Sequence, residues 1–168
     1  MTDIQQPPEI MEKLNLFVRN PTGYFLMSGS NGTGKTYAAM KIYERHTPYA
    51  LPYKSDEHAI FIKQGILNMK YLDALKDRDL EQLAAKYINT KLLILDDLGS
   101  RPPTEAFLDF LFVILDQRWE EREKKGTIVT TNLNHADLRG KLGDAIASRI
   151  VSGYVVSFFG KDRRLQNK

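Results

Sequence analysis

Two kinds of hydrophobic pattern alternate along this chain. Short apolar runs predict strands that are buried in a sheet, whereas apolar residues three or four positions apart predict amphipathic helices. The runs predict five strands, at residues 24–28, 59–62, 92–95, 127–132 and 154–159. Because helical patterns separate these strands, the chain is predicted to form an α/β domain of three layers with a five-stranded parallel sheet.

The helical patterns differ in how much of each helix is apolar. They predict helices at 8–20, 37–46, 104–124, 136–142 and 144–152, and two more within 66–88 that separate near 76–78. In the helix that Thr104 is expected to cap, the first half is apolar on nearly every face. Such a helix either lies at the centre of the fold or meets another subunit. Arg118, at the border of its apolar face, is either an interface residue or a salt-bridged helix residue.

The two ends of the chain carry no strand pattern. Residues 1–8 include two prolines and are expected to form a loose arm, so that residues 1–20 comprise an arm and a short helix. Residues 21–160 form the predicted core, and residues 161–168 form a basic tail. Prolines and turn-forming residues at 47–57 predict an exposed loop.

Composition narrows the class of protein without identifying it. With 42% hydrophobic and 27% charged residues, the chain matches one soluble globular domain, and no apolar run approaches the ~20 residues of a membrane span. The N-terminus lacks the pattern of a secretory signal, and without cysteine there is neither a disulfide nor a cysteine-based metal site. The cytoplasm is the expected compartment. A formal net charge of +3 permits a nucleic-acid partner without requiring one.

Residues 29–36 match the G-x-x-x-x-G-K-[ST] pattern of a P-loop. The pattern lies between a predicted strand and a predicted helix, where glycines let backbone N–H groups and the helix N-terminus surround phosphates. Lys35 is expected to reach the β and γ phosphates, and the Thr36 hydroxyl to ligate Mg²⁺. The residues expected to bind the nucleotide are Gly29, Ser30, Asn31, Gly32, Thr33, Gly34, Lys35 and Thr36.

Polar groups at the ends of two later strands fit the chemistry of ATP hydrolysis. Asp96 and Asp97 end an apolar strand, where Asp96 would hold Mg²⁺ and Asp97 would position the attacking water. Asn132 ends the next strand, where its amide could orient that water or touch the γ-phosphate. An asparagine after a strand is often a turn former or a helix cap, but the two preceding signals favour the functional interpretation.

Arg149 is a candidate for contacting a nucleotide that is bound by a neighbouring subunit. It lies in the predicted helix 144–152. A planar guanidinium supplied by a neighbouring chain can stabilise charge on a phosphoryl group during its transfer. On these residues alone, an ordinary surface arginine remains the alternative.

Five segments occur in the order found in one family of P-loop proteins. They are Gly-Ser-Asn-Gly-Thr-Gly-Lys-Thr, Leu-Leu-Ile-Leu-Asp-Asp-Leu-Gly, Asp-Gln-Arg-Trp, Thr-Ile-Val-Thr-Thr-Asn-Leu and Ala-Ile-Ala-Ser-Arg-Ile. Over residues 21–164 the chain resembles the AAA+ domain of the DnaC-type helicase loaders and the IstB transposition helpers. The resemblance implies an AAA+ P-loop NTPase fold. It also implies roles for Asp96 and Asp97 as Walker B, Asn132 as sensor 1 and Arg149 as the arginine finger. Arg164 is similar to a sensor 2 arginine, and a solvated basic tail explains it equally well.

Three departures from the family pattern shape the expected activity. The chain resembles a minimal form, without the N-terminal domain with which the loaders grip the helicase. Only 19 residues follow Arg149, so a helical lid is expected to be absent or vestigial. Many AAA+ proteins have glutamate where Asp97 stands, and the aspartate side chain is one methylene shorter. Because water positioning is sensitive to placement, slow turnover is expected.

The resemblance also implies partners. ATP and Mg²⁺ would bind between the subunits of a homo-oligomer, and the nucleotide state would control assembly on single-stranded DNA, a replicative helicase or a transposase. Five basic residues in or near the insert 66–88 could follow a DNA backbone, although interleaved acidic residues favour a solvated face. These are Lys63, Lys70, Lys76, Arg78 and Lys86. Two other classes stay open, a small-molecule kinase and an adaptor that binds nucleotide only as a switch.

Overall fold

The five strands of the protein lie in one parallel sheet. In the computed structural model, which describes residues 4–47 and 58–160, they are β1 (Gly23–Ser28), β2 (Ala59–Lys63), β3 (Leu92–Asp96), β4 (Gly126–Thr130) and β5 (Tyr154–Ser157). Their order is β2-β3-β4-β1-β5, and each neighbouring pair is parallel. The predicted fold class is confirmed, and β4 lies between the P-loop strand β1 and the aspartate strand β3.

Six helices surround this sheet in the described residues. They are α1 (Pro8–Arg19), α2 (Lys35–His46), α3 (Gln64–Asp77), α4 (Leu80–Asn89), α5 (Glu105–Glu120) and α6 (His135–Ile150). The predicted cap is confirmed, because the Thr104 hydroxyl accepts a hydrogen bond from the Phe107 N–H at 3.3 Å. The predicted interruption near residue 143 is also present, since Gly143 leaves helical geometry with a φ of 81°.

Alternating strand residues feed two apolar cores, one on each face of the sheet. On one face, Leu93, Leu95 and Val129 pack against helices α3 to α6. On the other, residues such as Phe25 and Ile94 pack against α1 and α2. The arrangement is the three-layer domain that the sequence predicts. Among residues 4–47 and 58–160, no helix is long and apolar enough to cross a bilayer.

Helix α5 owes its apolar character mainly to a central position. Its buried side chains include Phe107, Leu111 and Ile114, each fully enclosed. Of the two alternatives left open by its pattern, burial within the fold accounts for most of its apolar residues. Val113, a large apolar residue of the same helix, is 48% exposed.

Arg118 is buried inside the fold and makes no salt bridge with the residues that the structure describes, so both expectations for it are wrong. It is completely buried, and its guanidinium donates to the Thr127 hydroxyl at 2.9 Å. Its other acceptors are backbone carbonyls, those of Tyr87, Ile88, Thr90, Lys91 and Gly126. Burial lowers the pKa of Arg118 to about 10, so the side chain stays charged at neutral pH. The arginine ties the chain around residues 87–91 to the start of β4.

The N-terminal arm is not loose over the residues that the structure describes. Ile4 is buried, with 6% of its surface exposed. The Gln6 amide donates to the carbonyls of Thr33 at 3.3 Å and Phe159 at 3.0 Å, and its Oε1 accepts from the Phe159 N–H at 3.0 Å. The expectation of a free arm is therefore corrected, because Gln6 connects the P-loop to the chain after β5.

Residues 48–57 of the predicted loop, and the whole basic tail 161–168, lie outside the described residues.

Candidate nucleotide-binding site

The P-loop joins β1 to α2 and depends on its glycines for its shape. Gly29, Gly32 and Gly34 have φ values of 136°, 75° and 99°, a region that disfavours other residues. At Gly29 a β-carbon would also lie 2.4 Å from the Phe158 carbonyl oxygen. The sequence pattern thus reflects a backbone that other side chains would strain.

Lys35 begins helix α2 and folds back onto the loop. Its Nζ donates to the carbonyl oxygens of Gly29 at 2.7 Å and Ser30 at 2.8 Å. The Thr33 hydroxyl donates to the same Ser30 carbonyl at 3.0 Å, which closes the loop on itself. The ammonium is therefore held at the N-terminus of a helix, where the helix dipole also attracts anions.

Asp96 is the buried carboxylate of the site. Its Oδ1 accepts hydrogen bonds from the hydroxyls of Thr36 at 2.8 Å and Thr130 at 2.7 Å, and only 1% of the residue is exposed. The structure therefore brings together the two residues expected to hold Mg²⁺. A carboxylate and a hydroxyl are hard oxygen donors, and Mg²⁺ is commonly held by one or two such ligands together with phosphates. The donor set fits the ion.

Thr130 is a site residue that the sequence did not reveal. Its hydroxyl accepts from the Asp97 N–H at 2.9 Å and donates to the Asp96 carboxylate at 2.7 Å, so it contacts both aspartates. In a strand that is rich in β-branched residues, a threonine is expected from strand propensity alone, so the sequence pattern does not mark it as functional. Only the strand order, which places β4 beside β3, identifies it.

Asp97 and Asn132 lie side by side at the same edge of the sheet. The Asn132 Nδ2 donates to the Asp97 Oδ1 at 3.1 Å. Asp97 has a φ of 60°, a conformation that costs energy in most residues and is least costly for glycine, asparagine and aspartate. Backbone strain of this kind is concentrated at functional sites. The pair is exposed to the cleft in which the P-loop lies.

A cavity of about 1080 Å³ connects these groups. Its lining includes P-loop residues, both aspartates, Thr130 and Asn132. It also includes two cations without an expected role in nucleotide binding, Lys63 at the end of β2 and Lys141 on α6. The Lys141 Nζ lies 3.4 Å from the Gly99 carbonyl oxygen. The cleft therefore places cationic groups and carboxylates around one volume large enough for a nucleotide.

Arg149 is not among the residues that line this cavity. Its Nε and Nη2 instead donate to Asp116 Oδ1 on α5, at 2.9 and 2.6 Å. The structure therefore does not bring Arg149 to the P-loop of its own chain. Arg164, the sensor 2 candidate, lies outside the described residues, so its role stays a prediction.

A P-loop after β1, a buried aspartate ending β3 and an asparagine after β4 define an AAA+ type of P-loop protein. The model of the family described as IstB-like ATP binding protein matches residues 8–168. The chain belongs to this family, and the predicted resemblance is confirmed.

One relative and two solved structures illustrate the relationship. A Bacillus thuringiensis subsp. berliner protein, named for insertion sequence IS232 and for ATP binding, is 28% identical over 165 residues. The match covers 95% of this chain and 62% of that protein, so the chain spans less than two thirds of its relative. The replication initiator DnaA bound to AMPPCP and single-stranded DNA has a TM-score of 0.80 at 19% identity, over 95% of this chain and 49% of the other. A DnaC helicase loader has a TM-score of 0.74 at 22% identity, over 94% and 95%.

Proposed function

We propose that this ATP-binding protein hydrolyses Mg·ATP slowly and uses its nucleotide state to control assembly on single-stranded DNA or on a DNA-replication partner. The observation that carries the proposal is the adjacency of two pairs in one cleft. Thr36 and Asp96 are joined at 2.8 Å, and Asp97 and Asn132 at 3.1 Å. The first pair has the oxygen ligands that would hold Mg²⁺, and the second has the carboxylate and amide that would position the attacking water.

Binding would begin with the P-loop. Its backbone N–H groups and the N-terminus of α2 would surround the phosphates, and the Lys35 ammonium would move from the carbonyls of Gly29 and Ser30 to the β and γ phosphates. Thr36 and Asp96 would hold Mg²⁺, which neutralises charge on the phosphates when bound. Thr130 keeps the Asp96 carboxylate turned toward Thr36.

Hydrolysis would depend on Asp97 and Asn132. A carboxylate can accept a proton from the attacking water, and an amide can hold that water or the γ-phosphate in place. The hydrogen bond from Asn132 fixes the orientation of the Asp97 carboxylate. Because aspartate reaches less far than glutamate, the water would be positioned imperfectly, and turnover would be slow.

The cleft would be completed by a second copy of the chain. Arg149 does not line the cavity, and a homo-oligomer in which each Arg149 meets a neighbour's γ-phosphate would make hydrolysis depend on assembly. Such a contact joins two different surfaces of the chain, the surface around Arg149 of one copy and the cleft of the next. It is therefore heterologous and produces rings or open filaments.

The relatives support two contexts for such an assembly. The IS232 relative suggests a transposition helper, whose partner would be a transposase. The DnaC and DnaA structures suggest a helicase loader or a protein on single-stranded DNA. Both roles involve DNA and the cytoplasm.

Phosphate release from ATP without an added acceptor, stimulated by single-stranded DNA, would favour the ATPase over a small-molecule kinase.

Two substitutions separate binding from hydrolysis. Lys35→Ala should abolish ATP binding, because the P-loop loses its cation. Arg149→Ala should leave binding intact and remove hydrolysis, because the arginine acts only on a neighbour's phosphate. Binding is measured with a fluorescent ATP analogue and hydrolysis by phosphate release. Equal loss of binding in both variants would contradict the role of Arg149. If the unmodified protein binds ATP but does not hydrolyse it at any protein concentration, the result would favour an adaptor that uses nucleotide only as a switch.

A further inference from the structure

The Asp-Gln-Arg-Trp segment on α5 contains an acidic residue without a role in the cleft. Asp116 uses a single oxygen, Oδ1, to accept from both Nε and Nη2 of Arg149, at 2.9 and 2.6 Å. About 30% of each side chain is exposed, so the pair lies at the surface between α5 and α6. An ion pair that is this exposed contributes little to stability.

Two aromatic rings and the helix backbone hold the same guanidinium. Its carbon lies 5.2 Å from the centre of the Phe112 ring and 5.9 Å from that of Trp119. The Nη1 group lies 3.3 Å from both the Ala145 carbonyl and the Ser148 hydroxyl. Arg149 is thus fixed along its edge, its face and one terminal nitrogen.

One donor of this arginine is left for a further acceptor. Nη2 carries two N–H groups, and the described residues provide an acceptor for only one of them, the Asp116 carboxylate. A guanidinium held by its Nε edge with a terminal N–H remaining is suited to a phosphate oxygen that arrives from outside.

We propose that Asp116 is a positioning residue, which holds Arg149 in the orientation required to reach the γ-phosphate bound by a neighbouring copy. The inference rests on the proposed function. A free arginine must lose its rotamer freedom when it meets the phosphate, whereas an arginine already fixed by Asp116, Phe112 and Trp119 does not. Losing that preorganisation should slow hydrolysis about tenfold.

Two hydrolysis-deficient variants allow the role of Asp116 in positioning Arg149 to be tested in a mixed oligomer. Asp97→Asn should bind ATP and supply Arg149 without hydrolysing, and asparagine tolerates the positive φ of 60° at this position. Arg149→Ala should keep a complete cleft but supply no arginine. Mixed together, the two variants should recover hydrolysis, because each Arg149→Ala cleft can meet an arginine from an Asp97→Asn neighbour.

Asp116→Ala is then added to one variant at a time. In the Asp97→Asn chain, which donates Arg149, it should lower the recovered kcat about tenfold while KM for ATP is unchanged. In the Arg149→Ala chain, which has no arginine to position, it should have no effect. Asp116→Asn in the donor chain keeps an oxygen acceptor and should restore most of the rate. Oligomer mass by light scattering and binding of a fluorescent ATP analogue should be the same for all mixtures.

The outcomes separate this inference from the proposed function. If the mixture without Asp116→Ala recovers no hydrolysis, the action of Arg149 between chains is wrong, and the inference falls with it. If hydrolysis recovers but Asp116→Ala has the same effect in either chain, raises the rate, or changes nothing in the donor chain, the inference alone is overturned.

Discussion

Asp96 receives two hydroxyl donors on one carboxylate oxygen, on the side of the cleft where Mg²⁺ is proposed to bind. Thr36 comes from the P-loop helix and Thr130 from the strand between β1 and β3. The Thr130 hydroxyl accepts from the Asp97 N–H and donates its one proton to Asp96. One side chain therefore contacts both proposed Walker B residues, at the carboxylate of Asp96 and at the backbone of Asp97.

Thr130→Val should damage the site more than it damages the fold. Valine keeps the shape but leaves the part-buried Asp97 N–H without this acceptor, which should lower the free energy of unfolding by about 1 kcal/mol. Because Asp96 would lose one of its two donors, Mg²⁺-dependent ATP binding should weaken about tenfold or more, measured by calorimetry with and without Mg²⁺.

Thr131→Val is the matched control for this prediction. Thr131 is also fully buried, and its hydroxyl also makes two hydrogen bonds, to the Leu98 carbonyl and from the Leu133 N–H. It makes none to Asp96, so its substitution should cost similar stability without the same loss of binding. Equal effects of the two substitutions on Mg²⁺-dependent binding would contradict the orienting role of Thr130.

Arg118→Met should be among the most destabilising substitutions in the protein. It would leave several buried carbonyl oxygens without a donor, and each such group costs about 1–3 kcal/mol. The free energy of unfolding should fall by more than about 3 kcal/mol in urea denaturation. Arg139→Met, at a side chain that is 54% exposed, should change it by less than about 0.5 kcal/mol. A mild effect at Arg118 would mean that water can replace the guanidinium.

At the level of elements, Gln6 connects the N-terminal arm to the P-loop by a hydrogen bond. The bonds of Gln6 to Phe159 join positions 153 residues apart, and a third bond reaches the Thr33 carbonyl inside the P-loop. The arm thereby links the loop after β1 to the chain after β5.

Gln6→Ala should loosen the P-loop without unfolding the domain. Because the Phe159 N–H would lose its acceptor, hydrogen exchange should become faster at Phe159 and in peptides that contain the P-loop, measured by mass spectrometry without nucleotide. Glu12→Ala, at an exposed position of α1, is the control and should leave exchange in both segments unchanged. Unchanged exchange in the Gln6 variant would show that the arm does not restrain the loop.

The elements were largely predictable from local patterns, whereas the contacts between them were not. Apolar runs located all five strands, and the P-loop pattern and strand-end aspartates located most of the candidate site. Thr130 was missed because its role depends on the order of strands, which no single strand encodes. Arg118 and Gln6 were misjudged for a related reason, since some of their partners lie about 30 and 150 residues away in the chain. Polar side chains that satisfy distant carbonyls look, locally, like surface residues.

For the whole molecule, the central feature is the separation of one proposed active site into two surfaces. The cleft carries the P-loop, Asp97 and Asn132, while Arg149 is held by Asp116 outside it. Nucleotide binding would then need one chain and hydrolysis would need two. Such a protein would report its own assembly through its rate of hydrolysis.

The most direct test of this account is the single-turnover rate of ATP hydrolysis per subunit across a series of protein concentrations, with every cleft filled by ATP. If the arginine arrives from a neighbouring chain, the rate should rise with protein concentration and level off once the chains are assembled. Arg149→Ala should stay at the low rate throughout. A rate in the unmodified protein that is the same at every concentration, from monomeric to fully assembled chains, would contradict the composite site.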